Sequence, residues 1–330
     1  MQKSVDWDAR IGRRVRLREL HILLVVVQSG SMAKAAEHLG ISQPAVSEAI
    51  ADLEAALNVR LLDRSRRGVE PTAYGGALLK YGRAAFDELR QGIKEIEFLS
   101  DPTAGEIRLG CSETITSSLL PPVIERLSER YPRVSLKVTQ VSVPTNAFPE
   151  LHDRTLDLVL ARLATADTKE FLAAGYVTQI LFNDRFCIVA GAQSRWARRR
   201  KIDLADLVDE PWIMTPLDSP GGRSVVEAFH ARGLNMPRIT VTTHSVHLRN
   251  DLVNSGRFIT ALPASVVHHN AKFFSLQILP IQLSLQPWPV AAVTLKNRTT
   301  SPVVRLFIEC VREVAKSIFT RPQSRKPVTT

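Results

Sequence analysis

The chain is short of the features that mark a disulfide framework, a membrane span or a familiar catalytic loop. It has three cysteines in 330 residues. Cys111, Cys187 and Cys310 are far apart, odd in number and set in apolar stretches, which suits buried thiols in a reducing compartment better than bridges or a metal cluster. No stretch approaches the roughly 20 apolar residues needed to cross a bilayer. There is no Gly-rich phosphate loop, no Gly-x-Ser-x-Gly elbow and no His-Glu-x-x-His helix. His268-His269 has no acidic or Cys residue close by, so it makes a poor metal pair. Neither cofactor nor metal is expected, and enzyme activity finds no support.

An export signal is imitated but not present. Arg10, Arg13, Arg14, Arg16 and Arg18 precede the apolar run Ile22 to Val27, yet Glu19 and His21 break the charge pattern and the run is too short for a signal core. The chain therefore reads as soluble and cytoplasmic, with no membrane partner. Internal repeats are absent, and the tail Arg321 to Thr330 has the composition of a disordered segment.

What the chain does have is length and positive charge. Its 330 residues call for two or three domains, each able to bury a core. The net charge of +10 suggests a polyanionic partner, but residues 1–99 hold 15 Lys/Arg against 13 Asp/Glu, whereas residues 100–330 hold 28 against 20. The excess lies in the wrong part of the chain to argue for DNA binding, so that argument has to rest on local pattern.

The pattern begins with Leu17, Leu20, Leu24 and Val27, which share one helical face. This helix ends at Ser29-Gly30, and Ser31 is placed to cap a short second helix, Met32 to Leu39, stopped by Gly40. Ser42 is placed to cap a third, with Pro44 tolerated in the first turn and Val46, Ile50, Leu53 and Leu57 on the buried face. Two short helices across Gly40-Ile41-Ser42 make a helix-turn-helix. Residues 59–62 and 69–71 can pair as a wing hairpin with Arg64, Arg66, Arg67 and Gly68 near its tip. Thr72 would cap a helix of about 73 to 99, whose Leu79, Gly82, Phe86, Leu89, Ile93 and Ile96 form a heptad seam suited to dimerisation.

Asp101 to Gly105 reads as a linker, and beyond it strands alternate with helices in the βαβ manner of a largely parallel sheet. Strands are expected at residues 106–111, 134–141 and 156–161, then 180–182, 185–190, 212–215, 239–243 and 258–262. Helices are expected at 119–130 and 223–232, and a last one runs from Pro302 to Phe319.

Residues 17 to 80 resemble the N-terminal domain of the LysR-type transcriptional regulators. The likeness is carried by Leu17-Arg18-Glu19-Leu20, Gly30-Ser31, Lys34-Ala35-Ala36, Leu39, Ser42-Gln43-Pro44-Ala45-Val46-Ser47, Ile50, Leu53-Glu54, Leu61, Arg64 and the stretch Thr72 to Gly75. A looser likeness to the family's effector domain runs through Ser112-Glu113-Thr114, Leu120-Pro121-Pro122, Leu156-Asp157-Leu158, Leu204 to Leu207, Glu210-Pro211-Trp212 and Ala261-Leu262-Pro263. The resemblance implies an α/β protein with an N-terminal winged helix-turn-helix, a dimerising linker helix, and two α/β lobes similar to type 2 periplasmic binding proteins. Expected boundaries are an extension over 1–16, the DNA-binding domain over 17–72, linker helix and hinge over 73–104, the effector domain over 105–320 and a tail over 321–330. Lobe one is expected at about 105–165 and 266–320, and lobe two at about 166–265. The resemblance also implies a dimer of dimers, an operator in double-stranded DNA, and RNA polymerase as a partner.

In a helix-turn-helix the second helix enters the major groove with its N-terminal residues at base edges. Gln43 can pair with adenine, Pro44 can meet a thymine methyl, and Ser42 and Ser47 suit phosphate oxygens, with simple capping the alternative for Ser42 and Pro44; Ser31, at its N-cap, is a further DNA-contact candidate. Glu48 departs from the family, which often has a basic residue there; it either accepts from cytosine N4 or turns off the DNA. Lys34, Arg64, Arg66 and Arg67 are candidates for phosphate or minor-groove contact.

At the sensor end, ligands are expected in a crevice at the carboxyl ends of strands. Ser112, Thr114, Thr145 and Asn146 follow strands of the first lobe, and Ser219 and Ser245 start helices of the second. Thr260 lies in a strand that comes near the ligand in the family. Each is a cap or a ligand contact. Arg162, ending a strand, is the charged candidate for an effector that the basic balance makes anionic, with a surface salt bridge as the alternative. Two rival readings remain: an exported solute-binding protein, which needs a signal, and a ligand-independent chromosome-architecture protein, which would ignore operator sequence.

Overall fold

The computed structural model describes residues 15–65, 68–141, 147–163, 168–271, 273–281, 283 and 287–319. The chain divides into two compact units, Met1–Gly92 and Ile93–Thr330.

The first unit packs helices α1 (Leu17–Ser29), α2 (Met32–Leu39) and α3 (Gln43–Leu57) with a hairpin of β1 (Leu62–Ser65) and β2 (Gly68–Pro71). The long helix α4 (Ala73–Ser100) begins in this unit. Val46, Ile50 and Leu53 of α3 are fully buried, as their spacing predicts. In α1 the buried block is Ile22 to Val26, while Leu17 is 49% exposed, because α2, α3 and β2 enclose the middle of that helix rather than one stripe of it. Gly40 ends α2 in the left-handed region at φ 65° and donates to Ala36 and Glu37 carbonyls. Gly68 stands at φ 128°, and a Cβ there would lie 2.7 Å from the Gly30 carbonyl oxygen, which also accepts from the Val69 amide at 3.0 Å. The hairpin thus leans on the turn between α1 and α2, and a side chain at position 68 would push it away.

The second unit contains two five-stranded sheets. In chain order its elements are β3 (Ala104–Cys111), α5 (Glu113–Thr116), α6 (Leu120–Arg130), β4 (Arg133–Gln140), α7 (Pro149–His152), β5 (Leu158–Arg162), α8 (Thr168–Ala173), β6 (Tyr176–Asp184) and β7 (Phe186–Gly191). A 3-10 turn (Leu204–Leu207) leads to β8 (Trp212–Met214), α9 (Pro220–His230), β9 (Ile239–Thr242), α10 (Val246–Asn254), β10 (Ile259–Pro263), α11 (Ala264–Asn270), β11 (Leu276–Ile278), β12 (Trp288–Leu295) and α12 (Pro302–Phe319). The first sheet has strand order β4-β3-β5-β12-β6 and the second β11-β7-β10-β8-β9.

Two expectations are corrected by this topology. The sheets are mixed rather than largely parallel: β3 runs parallel to β4 and β5, but β12 pairs antiparallel with both β5 and β6. In the second sheet β8 is parallel to β9 and β10, whereas β7 is antiparallel to β10 and β11. The lobe boundaries move as well. Strand β6, expected in the second lobe, pairs with β12 along its length and belongs to the first, and β11, expected in the first, belongs to the second. Both misplaced strands pair with partners remote in sequence, so their own composition carries no information about the sheet they join. The chain therefore crosses between lobes at 184–186 and returns between β11 and β12.

The first lobe is closed by α12, whose Val303, Val304, Phe307, Cys310, Val311, Val314 and Ala315 recur at helical spacing and are all buried. It also holds an ion cluster around Asp157. Arg108 donates to Asp157 through Nη2 at 2.7 Å, Arg298 at 2.8 Å and Lys94 of α4 at 3.4 Å. Burial would raise the Asp157 carboxyl, but the hydrogen bonds from Arg108 and the charge of Lys94 outweigh it and hold the group at about 2.

Candidate functional site

The first candidate surface is the start of α3. Ser42 stands at the N-cap and its hydroxyl accepts from the Ala45 amide at 3.3 Å. Ser42, Gln43, Pro44 and Glu48 are on the side of the helix away from buried Val46 and Ile50, and of them Ser42, Gln43 and Pro44 are exposed and Glu48 is exposed as well. Gln43 Nε2 lies 3.2 Å from Ser47 Oγ, which in turn sits 3.3 Å from Met32 Sδ. Ser47 is therefore half-buried and ties the amide of Gln43 to α2, while Gln43 keeps an exposed carboxamide. Ser31 is at the N-cap of α2 but makes no side-chain capping bond, unlike the expectation for it. Lys34 and Arg64 are exposed, Arg64 on β1 opposite Val69. Arg66 and Arg67 lie outside the described residues, as do Arg10, Arg13 and Arg14.

The hairpin is fixed from α3 itself. Glu54 Oε1 accepts from the amides of Leu61 at 2.7 Å and Leu62 at 3.2 Å, and Thr72 accepts from Gly75 while donating to the Arg60 carbonyl. One helix thus presents its exposed N-terminal residues and, through Glu54, sets the position of the strand that carries Arg64. Such an arrangement offers a helix to a groove and sets one exposed arginine, Arg64, on the strand beside it, where it can meet phosphates.

The second site is a cleft of about 380 Å³ between the two sheets. Ser112, Val141 and Arg162 reach it from the ends of β3, β4 and β5, and Thr215 and His244 from beyond the ends of β8 and β9. Carboxyl ends of strands converge there from both lobes, where open α/β sheets bind ligands.

Of the eight residues expected at the effector site, four line this cleft: Ser112, Thr114, Arg162 and Ser219. Ser112 and Thr114 hydroxyls are 3.1 Å apart, and Thr114 accepts from Arg162 Nη1 at 2.8 Å. Ser219 caps α9 by accepting from the Gly222 amide. Ser245 caps α10 and is not among the lining residues. Thr260 is fully buried and donates to the Ile213 carbonyl at 2.7 Å, which turns its hydroxyl into the sheet rather than the cleft. Thr145 and Asn146 lie outside the described residues.

Arg162 is buried rather than in a surface salt bridge. Its Nη2 is 2.6 Å from Asp184 Oδ2, which also accepts from Ser265 Oγ, and its guanidinium lies over the Phe186 ring. This cation is already neutralised within the protein.

Sequence reasoning missed the other buried arginine of the cleft. Arg249, on α10, is 1% exposed; Nη1 donates to the Ala261 carbonyl at 3.1 Å, and Nε and Nη2 have no hydrogen-bond partner. Burial lowers its pKa to about 10, against which the negative charge of Glu113 acts, so it stays a cation at neutral pH. No signal in the string Val246 to Asn254 distinguishes it from a surface arginine. Glu113, from the opposite lobe, accepts from the Val246 amide at 2.7 Å.

The three thiols are buried, and burial raises each of them, Cys111 to about 12. No cluster of metal-ligating side chains occurs among the described residues, and among them no helix is long and apolar enough to cross a membrane.

These features have counterparts in known proteins. Residues 17–76 match the model for the bacterial regulatory helix-turn-helix protein, lysR family, and residues 100–316 match the LysR substrate binding domain. The chain is 27% identical to the HTH-type transcriptional regulator GbpR of Azospirillum brasilense over 300 residues, covering 91% of this chain and 86% of that one. It is 25% identical to the regulator TdcA of Escherichia coli K12, over 90% and 93% of the two chains. Among solved structures, a full-length variant of OxyR from Pseudomonas aeruginosa superposes with a TM-score of 0.64 at 21% identity, covering 95% and 99%. CbnR, a LysR family regulator, superposes with a TM-score of 0.58 at 22% identity, covering 92% and 100%. With a helix exposed at its N-terminal turn and held to the hairpin that carries Arg64, a two-sheet sensor unit following it in the chain, and both family models matched in order, the chain belongs to the LysR family of DNA-binding transcriptional regulators.

Proposed function

We propose that this regulator reads an operator through the N-terminal turn of α3 and that a small molecule seated between its two lobes sets how the operator is held. Gln43 and Pro44 supply base contacts, Ser31, Ser42, Ser47 and Lys34 phosphate contacts, and Arg64 with Arg66 and Arg67 the contacts of the hairpin. Glu48 accepts from a cytosine amino group or stays in solvent. The related regulator CbnR has been solved with its target DNA, which supports the same use of this fold. The effector half of the reading rests on one observation, the cleft lined from both lobes at the strand ends.

The assembly is a dimer through α4, extended to a tetramer. Leu89, Ile93, Ile96 and Leu99 of α4 are each at least half exposed, a stripe that a second copy of the helix would cover. Operator DNA and RNA polymerase make the cytoplasm its place of action. Effector binding shifts the balance between two arrangements of the tetramer and changes the bend of the DNA it holds. Footprinting a full operator with and without candidate effectors tests this: an altered footprint and bend support it, and identical footprints across a broad panel contradict it.

A further inference from the structure

The cleft contains two buried arginines that the protein treats differently. Arg162 has Asp184 at 2.6 Å, whereas no carboxylate of the described residues lies within ion-pair distance of Arg249. Leaving a buried charge unpaired is costly, and proteins ordinarily avoid it by pairing. Arg249 is also held in place, since Nη1 is anchored to the Ala261 carbonyl. The two donors left without a partner, Nε and Nη2, are those of a single edge of the guanidinium plane. That edge matches a carboxylate side-on, through two parallel charge-assisted hydrogen bonds.

A carboxylate of the protein already waits nearby. Glu113 crosses the cleft from the first lobe and accepts from Val246, the residue one turn before Arg249 on α10. It sits at the helix head without closing the pair with Arg249. We propose that the cleft takes a small organic carboxylate which pairs side-on with Arg249, and that Glu113 is the tethered carboxylate with which it competes. Because Nε and Nη2 are sealed from water, the ligand reaches them as Glu113 releases Val246 and the lobes part, so occupancy is coupled to the interlobe contact. Phe186, Val141 and Pro216 line the same cleft and give the body of the ligand an apolar wall. This inference rests on the effector reading of the cleft.

The test uses full-length protein and matched pairs: succinate with succinamide, benzoate with benzamide, 2-oxoglutarate, and inorganic phosphate and D-glucose as tetrahedral and neutral probes. Calorimetry and thermal shift are run on the wild type, Arg249→Met, Arg249→Lys and Glu113→Gln. At least one acid is expected to bind, its amide at least about tenfold more weakly, because a charge-assisted pair is lost. Arg249→Met is expected to lose a similar factor, Arg249→Lys part of it, and Glu113→Gln to bind the acid several-fold more tightly. Acid and amide binding alike in the wild type overturns the proposal without reference to any variant. So does acid affinity that survives Arg249→Met, phosphate binding in preference to every acid, or Glu113→Gln leaving affinity unchanged. Glucose or an amide bound in the cleft with no acid bound overturns the carboxylate while the effector reading stands. Silence from the whole panel at about 10 mM, far above ordinary effector affinities, overturns both.

Discussion

Asp157 is bonded by Arg108, Arg298 and Lys94, and although it is 6% exposed and burial would raise it, the hydrogen bonds of Arg108 and the charges of Lys94 and Arg108 hold it at about 2. Its folded value lies below the ordinary 3.8, so its contribution is present above about pH 4 and lost as pH falls towards 2. The difference is on the order of 2 kcal/mol. Acid titration of sensor-unit stability is expected to show this loss, and Asp157→Asn to remove that step while lowering stability at pH 7; an unchanged acid profile in the variant contradicts the assignment. The cysteines belong to the same scale. Their wide spacing and apolar settings made them legible as buried thiols, and their raised pKa values predict that a thiol reagent at pH 8 labels them only after unfolding. Arg162 and Arg249 were not legible in this way. The sequence singles out Arg162 because it ends an apolar strand, yet which arginine is left without a carboxylate depends on Asp184, Ala261 and Glu113, none of them a neighbour in sequence.

At the scale of elements, the helix-turn-helix was readable almost entirely from local chemistry. Gly40, Ser42 and Thr72 do what their residue types predict, and the periodic Val46, Ile50 and Leu53 are buried. Ser31 is the exception, placed at its N-cap without the bond. Gln43→Ala is expected to weaken operator binding by about 1–3 kcal/mol and to relax preference at one base pair, while leaving nonspecific binding nearly intact. Replacing exposed Glu48 by Arg is expected to raise affinity for any duplex and steepen its salt dependence. Competition binding at two salt concentrations separates these outcomes. The sheets were less readable, because a strand's apolar run says that it is buried but not whether β12 or β7 is its partner.

For the whole molecule, the seam expected along α4 divides in two. Leu79 and Gly82 are buried and Phe86 packs against the core of the DNA-binding unit, whereas Leu89, Ile93 and Ile96 remain exposed, as does Leu99 outside the expected seam. The heptad spacing shows an apolar face but not where the chain's own core stops using it. Ile93→Asp together with Ile96→Asp is therefore expected to shift sedimentation towards smaller species and to weaken operator binding with little change in the folding of either unit. The most direct test of the account is a genome-wide map of bound sites for the wild type and for Gln43→Ala. The account predicts discrete sites sharing a two-fold sequence with half-sites spaced by helical turns, lost or altered in the variant. Binding spread without sequence preference, or sites identical in the two proteins, would contradict it.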